Sequence, residues 1–243
     1  MGAGADEMKK IVTMHQPNYL PWIGLFSKLR QADCLVIADT FALGGQSVFN
    51  RNKVRTPNGW QYLTVPIGRK TLGMRICDVK LPADRSWRAS HWSIIHDNYA
   101  KARFFPEYQD CIHELLFRYF EHLCELNLEI VQYLLKCFEI RVEVLRASAM
   151  SIDPALEKTD LMIALLKNAG ADIYLSGPSG RDYLQRDKFP LNGIQLAFFE
   201  FHHPIYEQRF PGFEPNMSAI DLLFNTGQGA GEIIQASGSI EEE

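Results

Sequence analysis

The stretch KKIVTMHQPNYLPWIGLFSKLRQADCLVIAD, residues 9–39, decides the fold. Residues 9–14 have a strand pattern that ends where prolines and polar residues begin. Residues 22–32 carry apolar side chains at helical spacing, and residues 34–38 form a continuous apolar run that is typical of a strand buried on both faces. Strand, helix and strand in this order predict a βαβ unit with parallel strands and a right-handed crossover.

The rest of the chain continues to alternate strands and helices. Further strands are predicted at residues 62–67, 75–81, 141–146, 172–175 and 195–201, and further helices at residues 157–169 and 218–225. A Gly-bearing link between residues 62–67 and 75–81 indicates a hairpin. Residues 87–138 are almost wholly helical in pattern. We therefore predict an α/β fold, with a mostly parallel, doubly wound (Rossmann-like) sheet, a helical insertion at about residues 87–138 and an edge hairpin.

The composition is that of a soluble globular protein with a full core. Of 243 residues, 47% are hydrophobic and 22% charged. The net charge of −4 provides no basic field, which argues against nucleic acid as a partner. Five cysteines without a C-x-x-C pair indicate reduced thiols in a cytoplasmic protein, and no apolar run is long enough for a membrane span. We expect an N-terminal extension at 1–8 that is disordered or non-native, one domain at 9–232 and a flexible acidic tail at 233–243.

Polar residues follow four of the predicted strands. Because ligands bind outside the carboxyl ends of parallel strands, we expect these residues to converge at one edge of the sheet. They are His15, Gln16, Asn18 and Tyr19 after the first strand, then Asp39, then Ser148, and finally Ser176 and Gly177. The first group lies between two prolines that restrict its backbone, so it could present side chains at fixed positions. A structural turn with Tyr19 and Trp22 in the core is the alternative.

Two further loops combine polar and cationic residues. Residues 50–53 (NRNK) contain Arg51, a natural bidentate partner for carboxylate or phosphate, although a solvated loop fits equally well. Residues 176–183 (SGPSGRDY) form a Gly-rich turn that carries Arg181 and Tyr183. Such turns can bind an anion, but this one matches neither G-x-G-x-x-G nor a P-loop.

No metal site is predicted. His91 and His96 are spaced i, i+5 and so lie on different faces of a predicted helix. The chain has no H-E-x-x-H motif and no paired Cys/His set. Tyr206 and Gln208, after the last strand, could line a site or pack at the surface.

A family resemblance begins at the string His15-Gln16-Pro17-Asn18-Tyr19-Leu20-Pro21-Trp22, followed by Gly24, Phe26 and Lys28. This string resembles the start of the WbqC-like protein family. Further matches follow in order: Asn50-Arg51-Asn52, Leu63-Thr64-Val65-Pro66, Trp87 with His91, Tyr99 with Lys101, Tyr174-Leu175-Ser176-Gly177 with Tyr183, Tyr206 with Gln208, Phe213, and Ser218 with Asp221. The first string is specific to the family, and the later matches support the resemblance because they occur in the same order along the chain.

The resemblance implies a bacterial protein of surface-polysaccharide (O-antigen) biosynthesis, with a role in adding glycine or a similar aminoacyl group to an amino sugar. The hypothesis is therefore a transferase that forms an amide on an amino sugar or sugar nucleotide. The predicted catalytic residues are His15, as the base, and Gln16. The predicted substrate-binding residues are Asn18, Tyr19, Asp39, Asn50, Arg51, Asn52, Lys53, His91, Ser176, Gly177, Arg181, Tyr183, Tyr206 and Gln208.

In this hypothesis Gln16 and Asn52 position the carbonyl, and Arg51 holds a phosphate or carboxylate. The acyl donor would be a thioester, for example on an acyl carrier protein, or an acyl adenylate made with ATP. The sequence leaves the cofactor and the oligomeric state open.

Two alternatives stay open. The order strand, His15-x-x-Asn18, helix loosely resembles nucleotidylyltransferase-like adenylate-forming enzymes, which carry H-x-G-H at this place. Asn18 replaces the second histidine of that motif, which puts the use of ATP in doubt. The other alternative is a non-catalytic module that binds a sugar nucleotide or a carrier protein, because a cleft rich in Tyr, Trp and Asn serves binding as well as catalysis.

Overall fold

The computed structural model describes residues 8–44 and 48–242. Its strands are β1 (Ile11–His15), β2 (Cys34–Ile37), β3 (Arg51–Thr56), β4 (Gly59–Thr64), β5 (Glu143–Arg146), β6 (Ile173–Ser176), β7 (Gln195–Phe201) and β8 (Gly238–Glu242). Its helices are α1 (Ile23–Leu29), α2 (Ser86–Tyr99), α3 (Phe105–Phe117), α4 (Leu123–Cys137), α5 (Lys158–Asn168), α6 (Gly180–Tyr183), α7 (Lys188–Leu191), α8 (Ala219–Thr226) and α9 (Ala230–Gln235). No helix in these ranges has the length and hydropathy that a membrane crossing requires.

Six strands form one sheet in the order β5-β2-β1-β6-β7-β8. All neighbours are parallel except β8, which runs antiparallel to β7. The chain builds β1, β2 and β5 outward in one direction and then returns to place β6 on the other side of β1. The border between β1 and β6 is therefore the topological switch point of a doubly wound sheet, where such folds bind ligands. The predicted fold class is confirmed.

Both faces of the sheet are covered, as the apolar run in β2 predicts. Leu35 and Ile37 face a core shared with α1, α4 and α8, whereas Cys34 and Val36 face a second core shared with α5. This alternation follows from the two-residue period of a strand. The helical insertion predicted at about 87–138 corresponds to α2, α3 and α4, which pack into the first core.

The predicted hairpin position is wrong. Strand β3 pairs with β4 as a separate two-stranded sheet, and the turn between them is Pro57-Asn58, followed by Gly59 at φ 115°. The sequence Pro-Asn-Gly, whose glycine readily adopts positive φ, is a stronger turn signal than the Gly-bearing link between residues 62–67 and 75–81. Residues 75–81 contain a 3₁₀ turn at Ile76–Asp78 in place of a strand.

The chain end also differs from the expected flexible tail at 233–243. Residues up to Gln235 complete α9, and β8 pairs with β7 from Phe201↔Gly238 to Ala197↔Glu242. Backbone pairing and an ion pair from Arg181 to Glu241 compensate for the acidic composition of this strand. Of the predicted extension at 1–8, only Met8 lies inside the described residues, and it is exposed.

Candidate functional site

A cleft of about 1110 Å³ opens at the switch point of the sheet. Its walls come from the ends of β1, β2 and β6, from α1 and α5, and from β7. The polar side chains on its lining are His15, Gln16, Asn18, Lys28, Thr40, Glu157, Lys158, Thr159, Tyr174, Ser179 and Tyr183. Much of the remaining lining is apolar or aromatic, including Phe41, Phe199 and Phe201. The cleft thus combines a hydrophobic wall with a compact polar group, which is typical of small-molecule sites.

His15 is the last residue of β1 and enters the cleft partly exposed. Its Nδ1 lies 2.7 Å from the carbonyl oxygen of Gln16, and because a carbonyl only accepts, Nδ1 carries the proton. Nε2 is left with a lone pair and has no hydrogen-bond partner in the described part of the chain. Burial and the nearby charge of Lys28 lower the pKa of His15 to about 4. The imidazole is therefore neutral near pH 7.

Lys28 reaches the same cleft from α1 and is only 6% exposed. Its Nζ donates to the carbonyl oxygen of Met14 over 3.3 Å. Burial lowers the pKa of Lys28 to about 8. Lys28 is absent from the site residues predicted from the sequence, although its spacing carries a signal. Gly24 and Lys28 are spaced i, i+4, so they share one face of α1, and both line the cleft.

Two buried oxygens of the cleft lack a partner among the residues that the structure describes. They are Oδ1 of Asn18, whose side chain is 4% exposed, and Oγ1 of Thr40. Buried polar atoms are nearly always hydrogen-bonded, and an unpartnered one needs an explanation such as a missing ligand or water.

Glycines allow the close packing of the cleft walls at two places. An added Cβ on Gly24 would lie 2.4 Å from the Trp22 ring, which closes one wall against Phe201 at a centroid distance of 4.8 Å. A Cβ on Gly180 would lie 2.1 Å from Oγ of Ser176. Bulkier residues at either position would displace the wall.

The Gly-rich turn after β6 contributes only part of its predicted residues to the cleft. Gly177 and Tyr183 line it, whereas Ser176 is buried and donates from Oγ to the carbonyl oxygen of Gly177. Arg181 bonds Glu241 over 2.5 Å and stacks 4.0 Å from the Phe198 ring centroid. These contacts give Arg181 a role in anchoring β8.

Asp39 holds two strand ends together and does not line the cleft. Its carboxylate is fully buried and accepts from Arg146 Nε at 2.9 Å, from Ser148 Oγ at 2.7 Å and from the backbone of Ser148 at 2.8 Å. This arrangement joins the ends of β2 and β5. Asp39 and Ser148 therefore lie together as expected, but their hydrogen bonds fasten two strand ends, and the two residues do not line the cleft.

Tyr19 and His91 form a buried pair beneath the hairpin. The Tyr19 hydroxyl lies 2.9 Å from His91 Nδ1, and His91 Nε2 lies 3.2 Å from the carbonyl oxygen of Thr64. Because that carbonyl accepts from Nε2, Nδ1 accepts from the tyrosine. Burial lowers the pKa of His91 to about 4. The pair supports the fold and lies outside the cleft lining.

The hairpin residues 50–53 are not brought together with His15. Asn50 donates to the carbonyl oxygen of Val65, and Asn52 donates to that of Leu20 over 2.6 Å. Arg51 lies over the Tyr62 ring, and Lys53 lies 4.0 Å from the centroid of the Trp60 ring. The expectation placed these residues in a loop, but in β3 alternate side chains point inward as supports and outward over aromatic rings.

Tyr206 and Gln208 belong to a second buried polar cluster, centred on Asp221 of α8. Tyr99 donates to Asp221 Oδ1 at 2.8 Å, and Tyr206 and Gln208 donate to Oδ2 at 2.7 and 3.0 Å. Arg55 completes the cluster by donating to Gln208 Oε1. We call this group the Asp221 network. Its members are buried and satisfied by one another, so it joins α2, α8 and the segment after β7.

Comparison with known proteins decides the family. The model of the WbqC-like protein family matches residues 16–233. The chain belongs to the WbqC-like family. The uncharacterized protein Rv1507c of Mycobacterium tuberculosis is 30% identical over 230 residues, which cover 94% of this chain and 98% of that protein.

Many of the residues that carry the family resemblance lie in one of two places in this WbqC-like protein. His15, Gln16, Asn18 and Trp22 line the cleft, and so does Lys28. Tyr99, Tyr206, Gln208 and Asp221 form the Asp221 network. Within residues 8–44 and 48–242, no three His, Cys, Asp or Glu side chains are grouped to hold a metal ion.

Proposed function

We propose that the cleft transfers an acyl or aminoacyl group to the amine of an amino sugar or sugar nucleotide, and that this reaction serves bacterial surface-polysaccharide (O-antigen) biosynthesis. The observation that carries the proposal is the neutral His15 imidazole in the cleft, with Nε2 unbonded within the described chain, beside the buried ammonium group of Lys28. A lone pair and a cation side by side provide what acyl transfer to nitrogen requires.

The reaction forms a carbon–nitrogen bond, breaks the bond from the carbonyl carbon to its leaving group, and removes one proton from the amine. The amine nitrogen attacks the acyl carbonyl carbon, and the carbonyl oxygen becomes an oxyanion. The attacking nitrogen becomes strongly acidic and gives a proton to Nε2 of His15, while the positive charge of Lys28 and the amide of Gln16 stabilise the oxyanion. Collapse breaks the bond from carbon to the sulfur of a thioester or to the phosphate oxygen of an acyl adenylate. The proton on Nε2 then passes to the leaving thiolate or, when AMP leaves, to water, which restores the neutral imidazole.

The size of the cleft supports a substrate larger than the acyl group alone. A volume of about 1110 Å³ matches the upper range of small-molecule sites and suits a nucleotide-linked sugar. Aromatic walls at Phe41, Phe199 and Phe201 offer surfaces against which planar or ring-shaped groups can pack.

The proposal is tested by incubating the protein with sugar nucleotides that bear a free amine. Candidate acyl thioesters and free acids are supplied with and without ATP, and mass spectrometry detects the mass gain of the amide. We expect His15→Ala to lower the rate by about 10²–10⁴-fold, the usual contribution of a general base. His202→Ala, at an exposed histidine that does not line the cleft, is the matched control. Equal rates for His15→Ala and wild type would remove His15 from the mechanism.

The same assay identifies how the donor is activated. Release of pyrophosphate that depends on both ATP and a free acid would indicate an acyl adenylate. Product formed from a thioester without ATP would indicate a preformed donor, such as an acyl carrier protein.

A second candidate is a non-catalytic module that binds the sugar nucleotide or a carrier protein. It is favoured by the low pKa of His15, about 4, because a general base works best when its pKa lies near the working pH. Tight binding of the sugar nucleotide without product from any donor would support this candidate against the transferase.

A further inference from the structure

Lys28 is a buried cation without an anionic partner among the described residues. Its Nζ has one long hydrogen bond, 3.3 Å to the carbonyl oxygen of Met14, which leaves further donor capacity unused. The described cleft lining contains a single carboxylate, Glu157, which is exposed at the start of α5 and forms no ion pair with Lys28. An unpaired buried charge is costly, so a protein that keeps one beside a cleft has a reason to do so.

The neighbourhood of Lys28 also contains oxygens that need a hydrogen-bond donor. Asn18 Oδ1 and Thr40 Oγ1 are buried, line the same cleft and have no partner in the described chain. The Asn18 oxygen can only accept, so it requires an N–H or O–H group. A ligand that fits the cleft would therefore offer an anionic group to Lys28 and a hydrogen-bond donor to Asn18.

We propose that Lys28 is the anchor for an oxyanion of the ligand, a phosphate or a carboxylate, and that Asn18 accepts a hydrogen bond from an N–H or O–H group of the same ligand. The proposal rests on the proposed function only in that it names the chemistry of the ligand in the same cleft. Lys158 is the other lysine on the described lining, but it is exposed at the rim, where water screens its charge.

The test measures binding by calorimetry, without an acyl donor, so that it does not depend on turnover. The probes are UDP, inorganic pyrophosphate and glycine, and the comparators are uridine and glycinamide, which lack the oxyanion. We expect at least one oxyanion probe to bind, and Lys28→Met to weaken it about 10- to 100-fold, the usual worth of a hydrogen bond to a charged group. Lys70→Met, at an exposed lysine that does not line the cleft, should bind as wild type does.

The probes identify the source of the oxyanion. Binding of UDP and pyrophosphate that depends on Lys28 assigns a phosphate, and binding of glycine alone assigns a carboxylate; both support the proposal. Failure of every oxyanion probe to bind wild type at millimolar concentration overturns it, as does unchanged affinity of Lys28→Met. Retained binding without any amide product would refute the transferase while leaving the anchor intact.

Wild-type protein provides a second measurement, which does not depend on the folding of a variant. Brief acetylation by an amine-reactive reagent, followed by peptide mass spectrometry, reports the reactivity of each lysine. The oxyanion probe should protect Lys28 several-fold and leave Lys70 unchanged. Equal labelling of Lys28 with and without the probe would contradict the proposal.

Discussion

The cleft and the Asp221 network are both polar, yet they differ in how their polar atoms are paired. In the network, Asp221 accepts three hydrogen bonds from Tyr99, Tyr206 and Gln208. In the cleft, Asn18 Oδ1 has no partner in the described chain, and Lys28 has one long bond to a carbonyl oxygen. A polar cluster with all hydrogen bonds formed stabilises a fold. Unsatisfied polar atoms at the rim of a sheet lower the folding stability, which is typical of a place where a ligand binds.

The difference shows that motif residues need not be site residues. The two groups occur in the same family pattern, and either could be mistaken for catalytic machinery in the sequence. The two groups differ in whether their buried polar atoms have hydrogen-bond partners. An unpartnered atom that also lines the cleft, and not the residue type, therefore marks the candidate site, since buried atoms of Trp87, Arg88 and Asn127 are unpartnered in the described chain but lie outside the cleft.

The largest effect is expected for Asp221→Leu, which removes the acceptor of the Tyr99 and Tyr206 hydroxyls and one of the two acceptors of Gln208 Nε2. We expect this change to lower the free energy of unfolding by about 3–5 kcal/mol. Urea denaturation followed by circular dichroism measures it. Asp221→Asn, which retains one oxygen acceptor, should lose less. A loss below about 1 kcal/mol for Asp221→Leu would contradict the structural role of the network.

A second prediction compares the two histidines by the pH dependence of stability. His15 and His91 have folded-state pKa values of about 4, below the ordinary value near 6.5, because desolvation disfavours the charged imidazole of each and the charge of Lys28 adds to this at His15. The unfolded chain binds more protons between these values. The stability from both histidines is therefore full above pH 6.5 and is lost as the pH falls toward 4.

Replacing either histidine should make the stability curve flatter in this window. We expect His15→Gln and His91→Gln each to reduce the slope by up to about 1.4 kcal/mol per pH unit. Urea midpoints measured between pH 4 and pH 7.5 provide the slopes. Slopes equal to that of wild type in both variants would show that neither imidazole is buried in the neutral form.

The smallest and sharpest test applies one substitution to two buried asparagines. Asn52 is bonded at both ends, to Leu20 and to the backbone of Lys53, whereas Asn18 has an unpartnered oxygen in the described chain. Asn52→Leu should cost about 1–3 kcal/mol, whereas Asn18→Leu should change the free energy of unfolding by less than about 1 kcal/mol or raise it. Thermal unfolding distinguishes them, and an equal loss in both variants would contradict the comparison between satisfied and unsatisfied groups.

Much of the fold could be predicted because its signals are local. The apolar run at residues 34–38 indicated a doubly buried strand, and β7 was predicted at residues 195–201 with its observed bounds. The hairpin and β8 were missed for different reasons. The turn at Pro57 was overlooked, and β8 has a single apolar residue, Ile240, among small and acidic ones, so it has no strand pattern of its own. Pairing with β7 makes them a strand, and that contact is not local.

The candidate site was predictable only in part. Residues 15 and 16 were placed at the rim because the carboxyl end of a first parallel strand follows from topology rules, and both line the cleft. Lys28 was not selected, because its spacing from Gly24 indicates only that the two share a helix face and not that this face lines a cleft. Its burial is a tertiary property: α1 packs against β7, β8 and α9, and Nζ of Lys28 bonds the carbonyl oxygen of Met14 in β1.

By itself the amino-acid sequence determined the βαβ start, the doubly wound sheet and the position of the polar segment after the first strand. These features depend on hydrophobic periodicity and on the order of elements along the chain, and both are local properties of the sequence. The tertiary structure alone decided which polar atoms find partners. Tyr99 and Asp221 are 122 positions apart and share a hydrogen bond, and the oxygen of Asn18 is left without one in the described chain. Hydrogen bonding depends on distances and directions between remote segments, and only the packed chain sets those.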